Sequence, residues 1–299
     1  MRPEDYKTII YEPGRITKII HNEPDIRNPL TGNFILELRD ALERLQRNRE
    51  AMVGVLLANG PIFCSGHNLG FVSKMQDWTP KEPSRLYEED WRENMDFMRD
   101  YLYMPLWNCT TPLVVGVRGG AAGGGVEVAL YGDIVITTEG AHFDYGVFHI
   151  TGTGPAFQLI YNMGWKKAME IYLSAWSFSA EEGLEWGLFN KVVPDDKLED
   201  EVMLQAERIA RMPPEAPRLI KESLKVAMNQ MGVREAIFYG NKTDMIGHLA
   251  KVTEREKDFY TIIKQKGMKE AVAYRDAPFE ELGFITYSKR KEMNKKRNK

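Results

Sequence analysis

The stretch GGAAGGGVEVALYGD, residues 119–133, decides how the chain is read. It follows the apolar run PLVVGV at 112–117 and sets three consecutive glycines, Gly123, Gly124 and Gly125, just ahead of one carboxylate, Glu127. Read physically, this is a strand, a glycine turn and a helix. The N–H groups that open a helix have no intrahelical acceptor, and the helix dipole adds positive potential there. Such a turn can donate to a carbonyl oxygen that becomes an oxyanion. Tight packing explains glycines as well, and so does a phosphate loop. No Gly-Lys-Ser/Thr follows, however, and the spacing does not fit G-x-G-x-x-G. Glu127 gives the stretch its chemical meaning. A carboxylate one turn into an apolar helix is costly unless it is paired or put to use.

A second turn of the same kind lies upstream. IFCSGHNL, residues 62–69, follows the buried-strand pattern MVGVLLANG and carries the small pair Ser65-Gly66. Two such turns can aim two N–H donors at one oxygen.

Farther out, TIIYEPGRITKIIHN reads as a β-hairpin around Pro13-Gly14. NFILELRDALERLQRN carries Phe34, Leu38, Leu42 and Leu45 on one helical stripe. DIVITTEGAHFDYG reads as two short strands about a Glu-Gly turn. Strands and helices alternate, which predicts an α/β fold with buried strands. From Ser179 onward the pattern is mostly helical. Ser179 and Glu182 form a capping-box sequence, and an amphipathic helical pattern runs from Pro213 to about residue 275.

The 299 residues are enough for a sizeable core, and a net charge of -3 argues against a general polyanion binder. Two cysteines, Cys64 and Cys109, make neither a disulfide framework nor a metal cluster, so no metal is expected. The charged N-terminus lacks the apolar core of a signal peptide, and no apolar run is long enough to span a membrane. These features predict a cytoplasmic protein. The last twelve residues, SKRKEMNKKRNK, hold seven Lys or Arg and read as a solvated, disordered tail. Residues 71–108 contain Trp78, Trp91 and Trp107. The Trp78–Ser84 part reads as loop and Leu86–Met104 as helix. The segment is read either as a lid over a binding site or as aromatics packed on the core.

These motifs resemble, in order, those of the crotonase (enoyl-CoA hydratase/isomerase) superfamily from about Tyr6 to Phe279. EPDIRNPL resembles its R-P-x-x-x-N-A-L segment, with Asn28 at the Asn. FCSGHNL resembles F-x-A-G-x-D-L. The stretch from Thr110 to Ile136 resembles the long signature ending G-G-G-x-E-L-A-x-x-C-D-I. AEEGLEWGLFNKVVP and GMKEAVAYRDAPF resemble the two closing segments. The resemblance implies a crotonase-like ββα spiral core over 1–210, a helical C-terminal trimerisation part over 211–285 and a basic tail over 286–299. It also implies a trimer or hexamer acting on an acyl-CoA thioester. Coenzyme A would enter as part of the substrate, with no separate cofactor. Carried across residue by residue, the oxyanion donors would be the backbone N–H groups of His67 and Gly124. Glu127 would reach the acyl carbons. Arg27, the turn Cys64, Ser65, Gly66 and Asn68, and Arg275 from the C-terminal segment would contact CoA. Gly123, Val147 and Trp78 would border the acyl group.

The chain departs from the family at one point. Hydratases of the family carry a second glutamate in F-x-x-P-E-x-x-x-G. Here FDYGVFHITGTGP puts Val147 in that place. Val cannot transfer a proton. His149 is the nearby candidate acid or base, the other reading being a packed histidine satisfied by backbone, and Asp144 reads as a cap or turn residue. A single carboxylate still suffices to deliver water and return the same proton. The expected function is therefore reversible hydration of an α,β-unsaturated acyl-CoA by Glu127. Isomerisation, or C–C hydrolysis or decarboxylation, is the alternative on the same fold. A non-catalytic CoA-ester or RNA binder using the basic tail is the rival from another class.

Overall fold

The computed structural model describes residues 2–67, 96–150, 158–249, 253–286 and 289. The expected loop at Trp78–Ser84, Trp91, Asn68 and all of the basic tail except Thr286 and Lys289 lie outside these residues.

The hairpin forms as expected: β1 (Ile9–Glu12) pairs antiparallel with β2 (Ile16–His21). β2 then continues into a parallel array with β3 (Val53–Ala58), β4 (Leu113–Val117), β6 (Ile134–Thr138) and β9 (Lys191–Val193). All six residues of β3 and all five of β4 are buried. That is why these strands read as unbroken apolar runs: both faces of the sheet are covered. One face is covered by α1 (Gly32–Arg47), whose stripe Phe34, Leu38, Leu42 and Leu45 is fully buried. The Thr31 hydroxyl caps this helix by accepting from the Phe34 N–H. On the other face, Leu198, Val202, Ala206 and Ala210 of α7 (Leu198–Ala210) pack with Val53, Val55, Leu57, Val114 and Ile136.

A second sheet has three short strands, β5 (Gly120–Ala122), β7 (His142–Asp144) and β8 (Phe178–Ser179). β4 in the large sheet is followed at once by β5 in the small one, and β6 by β7, each pair running parallel to the next. An isolated parallel bridge between Cys64 and Ala121 adds the turn after β3 to the same series. Successive chain passes thus stack one strand on each of two sheets, which is the spiral core that the family resemblance implies. The two glycine turns lie at neighbouring positions of the spiral.

The end of the aromatic segment is helical, and residues 86–95 of the expected helix lie outside the described residues. A π-helical turn, Arg99–Tyr103, runs into α2 (Met104–Asn108). α3 (Gly124–Leu130) opens at the glycines. α4 (Gln158–Met163), α5 (Trp165–Ser174) and α6 (Ala180–Glu185) follow, and the Ser179/Glu182 capping box is formed in both directions. The mostly helical reading after Ser179 needs one correction. Lys191–Val193 is a strand, and its pairing with β6 places it at the sheet edge. Three residues are too few for a periodicity to register. After α7 come α8 (Ala216–Gln230), α9 (Val233–Leu249), α10 (Glu254–Lys266) and α11 (Met268–Glu281). No helix among the described residues is long and apolar enough to cross a membrane.

Candidate active site

The two turns are locked together by backbone. The Ala122 N–H donates to the Cys64 carbonyl at 3.0 Å, the Leu30 N–H to the Gly66 carbonyl at 2.8 Å, and the Ser65 N–H to the Arg27 carbonyl at 3.1 Å. Asn28 fixes the segment ahead of them. Fully buried, its side-chain amide donates to the carbonyls of Asn59 and Ile62 at 2.8 and 2.9 Å, and its oxygen accepts from the Glu23 N–H. One side chain therefore ties the end of β2's excursion to the turn that follows β3.

The glycines are set by close approach. A methyl group on Gly125 would lie 2.8 Å from the Cys64 carbonyl oxygen and the same from its Sγ. One on Gly124 would lie 2.8 Å from Cε1 and 3.2 Å from Nδ1 of His67. Only glycine lets the two turns meet. Gly123 has φ 48°, and its N–H donates to the Asp144 carbonyl at 2.7 Å. A methyl there would meet Val147 Cγ1 at 3.7 Å. Val147, Gly123, Gly124 and His67 thus form one continuous surface. Gly124 is the first residue of α3, where the N–H has no intrahelical acceptor.

Glu127 lies on the same helix, 2% exposed, and its Oε2 has no hydrogen-bond partner among the described residues. Burial pushes its carboxyl up to about 8; a hydrogen bond from the Tyr103 hydroxyl pulls the other way, and Asp244 adds to the rise. The carboxyl therefore holds its proton to a higher pH than an ordinary glutamate does. Phenols surround it. Tyr103 and Tyr131 stack with centroids 5.9 Å apart, and Tyr145 meets Tyr172 edge-on at 5.2 Å. Burial, with Glu127 contributing, holds all four phenols well above their ordinary range. The hydroxyls of Tyr145 and Tyr172 approach each other without a well-formed hydrogen bond. Sequence reading missed this cage as a unit. Tyr131 was within reach, standing four residues after Glu127 on one helix. Tyr103, Tyr172 and Asp244 come from three distant elements and carry no local signal.

Other expected site residues are placed as follows. Arg27 is exposed, in the left-handed region at φ 65°, beside the Ser65 turn. Cys64 is a buried thiol that burial pushes up to about 12, so it packs and does not react. Asn68 and Trp78 fall outside the described residues. Trp107 donates its indole N–H to Asn229 at 3.0 Å and packs on α8.

Two expectations are corrected. Arg275, expected as an open cation for CoA, instead lies in a buried ion cluster. It is 6% exposed, its Nε 2.6 Å from Asp276 and its Nη2 3.5 Å from Asp144. Both sides of the guanidinium are taken by carboxylates, so its charge is already matched. His149 is not beside Glu127's open oxygen but joins this cluster. Its Nε2 lies 2.9 Å from the Ser174 carbonyl and its Nδ1 3.7 Å from Asp276, and its ring stacks on Phe279 at 3.5 Å. This is the packed, backbone-satisfied histidine of the other reading. Asp144 likewise serves the cluster, where burial raises its pKa and Arg275 opposes the rise.

Comparison with known proteins agrees with this architecture. The family model described as enoyl-CoA hydratase/isomerase matches residues 12–281. The 2,3-dehydroadipyl-CoA hydratase of Escherichia coli (strain K12) is 28% identical over 222 residues, covering 73% of this chain and 81% of that protein. A crystal structure of enoyl-CoA hydratase from Mycobacterium smegmatis superposes with a TM-score of 0.82 at 26% identity, covering 93% of this chain and 96% of that one. An enoyl-CoA hydratase/isomerase from Xanthobacter autotrophicus Py2 gives 0.81 at 26% identity, covering 91% and 98%. A match over nearly the whole spiral and its helices, on top of the paired glycine turns, makes this chain a member of the enoyl-CoA hydratase/isomerase family.

Proposed function

We propose that the protein is a cytoplasmic enzyme that adds water reversibly to an α,β-unsaturated acyl-CoA. The observation that carries this reading is Glu127. It is a buried carboxyl with one unpartnered oxygen, on the helix that Gly124 opens against the His67 turn. The N–H groups of His67 and Gly124 would hold the thioester oxygen and stabilise the enolate that forms on it. Glu127 would move a proton at the acyl carbons beside it. Arg27 and the Cys64–Gly66 turn would meet the CoA portion, and no cofactor beyond that CoA is required.

Val147 next to Gly123 favours a second reading on the same site. With an apolar group where hydratases of the family carry a glutamate, a single carboxylate could instead shuttle a proton between two carbons, as an isomerase does. The aromatic content of residues 71–108, with apolar Val147 beside Gly123, suits a cyclic or branched acyl group better than a flexible chain. Incubation with a panel of unsaturated CoA esters, with product masses read directly, separates the reactions. Gain of one water supports hydration, and an isomeric product of unchanged mass supports isomerisation. Loss of carbon dioxide from a carboxylated ester supports decarboxylation. Binding without any product overturns the enzyme reading.

A further inference from the structure

In the hydratase reading a single carboxylate can deliver water and return the same proton, or a second group can share the work. Water supplies a hydroxyl to Cβ and a proton to Cα. Families with two carboxylates divide this work, whereas here Val147 occupies the second place. Among the described residues, two histidines and one aspartate near the turns come into question. His149 is held in the Arg275 cluster, away from the glycines. Asp144 is held in the same cluster by Arg275. The third is His67, whose ring lies directly against Gly124, with Nδ1 3.2 Å from where a methyl on Gly124 would stand. The residue is exposed, so a ligand can reach it.

We propose that the imidazole of His67 is the second proton-transfer group of the site and works at Cα while Glu127 works at Cβ. The proposal rests on the hydratase reading. His67 would serve twice: its backbone N–H holds the thioester oxygen, and its ring reaches the carbon next to that carbonyl. Position supports this division. A methyl on Gly124, the first residue of α3, would lie 2.8 Å from Cε1 of the His67 ring, so the ring stands beside the residue whose N–H would hold the oxygen, whereas Glu127 lies three residues farther along the helix. Cα is bonded to the thioester carbon and Cβ is one bond more remote.

The dehydration direction shows the electron balance. The neutral imidazole takes the proton from Cα. The C–H pair becomes the enolate, with its charge on the thioester oxygen. That pair then forms the Cα=Cβ bond as the Cβ–O bond breaks, and Glu127 gives its proton to the departing hydroxyl, which leaves as water. Imidazolium and carboxylate are left, and proton transfer through solvent restores both. Hydration is the reverse. Burial favours the protonated Glu127, which is the form the dehydration direction starts from; hydration starts from the carboxylate, with the proton on the imidazole.

The test separates Cα exchange from hydration. Exchange of the Cα hydrogens of butyryl-CoA with deuterium oxide reports the Cα step alone, because this ester has no double bond to hydrate. His67→Ala keeps the backbone N–H and removes the ring. It is expected to lose exchange by about two orders of magnitude while binding butyryl-CoA as the unaltered protein does. Glu127→Gln is expected to keep exchange and lose hydration. His67→Gln, similar in reach but unable to carry a proton, should behave like His67→Ala. The proposal is overturned if His67→Ala exchanges at the original rate. It is equally overturned if exchange and binding fall together in both His67 variants, which makes the ring a packing element. If the unaltered protein hydrates none of the unsaturated esters, the hydratase reading itself has failed, whatever His67 does.

Discussion

Glu127 is where sequence, packing and chemistry meet at the scale of one residue. Its neighbours Val126 and Val128 are buried as the apolar pattern demands, and the carboxyl is buried with them. Nothing cationic among the described residues is assigned to it. Its partners are the Tyr103 hydroxyl and the more distant Asp244, so burial wins and the pKa rises from 4.5 to about 8. The folded state therefore binds a proton that the unfolded state has released between those two values. Stability contributed by this group is fully present below about 4.5 and is lost as pH rises through about 8. Glu127→Gln removes that loss. The variant should melt close to the unaltered protein at pH 5 and increasingly above it as pH approaches 9, by a few kcal/mol at most. Calorimetry across this range checks the sign. The same variant should lose about 100-fold or more in turnover while retaining CoA-ester binding. A variant that kept its activity would move the chemistry to another group.

At the scale of elements, the two glycine turns are held by distances that leave no room for a side chain. Gly124→Ala would drive a methyl to 2.8 Å from the His67 ring and 2.9 Å from Leu30 Cδ1. α3 would persist, since alanine favours helix, but the turn carrying His67 would be pushed away. We expect a folded protein by circular dichroism with about a 100-fold fall in kcat/KM, because a small displacement of positioned groups is enough. Full activity would show that the two turns do not act on one substrate oxygen. The Arg275 cluster makes the opposite kind of prediction. Arg275→Met leaves Asp144 and Asp276 buried without their cation, and should cost about 3–5 kcal/mol in urea unfolding. Binding by whatever protein remains folded should be unchanged, because the guanidinium's charge is already matched by Asp144 and Asp276. Elements of this kind differ in how legible they were. The longer strands, the capping box and both glycine turns could be read from local patterns: an apolar run, a Ser-x-x-Glu, a cluster of glycines beside one acid. The Asp144–Arg275 pairing joins residues 131 positions apart. A motif that elsewhere reads as ligand-binding here became a buried ion cluster, and only the packing of α11 on the turn after β7 decides between them. The tyrosine cage was hidden for the same reason.

The molecule as a whole is inverted at α8. The face that α8 turns inward carries Lys221, 8% exposed, with its ammonium 2.6 Å from Asp133 and 3.2 Å from the Thr111 carbonyl. The outward face carries Leu219, Ile220, Leu224 and Val226, which are 61, 49, 64 and 57% exposed. Helices in a finished globule do the reverse, setting apolar residues inward and charges outward. A patch of this kind marks an interaction surface. The inward lysine cannot be exchanged for one of these leucines by rotating the helix, because its ammonium is committed to Asp133 on the loop before β6. The apolar face is therefore left for another molecule, and the family resemblance makes a second copy of this chain the expected occupant. We expect light scattering to give a trimer, or a hexamer of two trimers, of the 34.4 kDa chain. Leu224→Asp puts a charge in the middle of that face and touches nothing in the core. It should lower the assembled mass while leaving the far-ultraviolet circular dichroism spectrum intact. A monomer at working concentration in the unaltered protein, or an assembly indifferent to Leu224→Asp, would mean that copies of this chain do not cover α8.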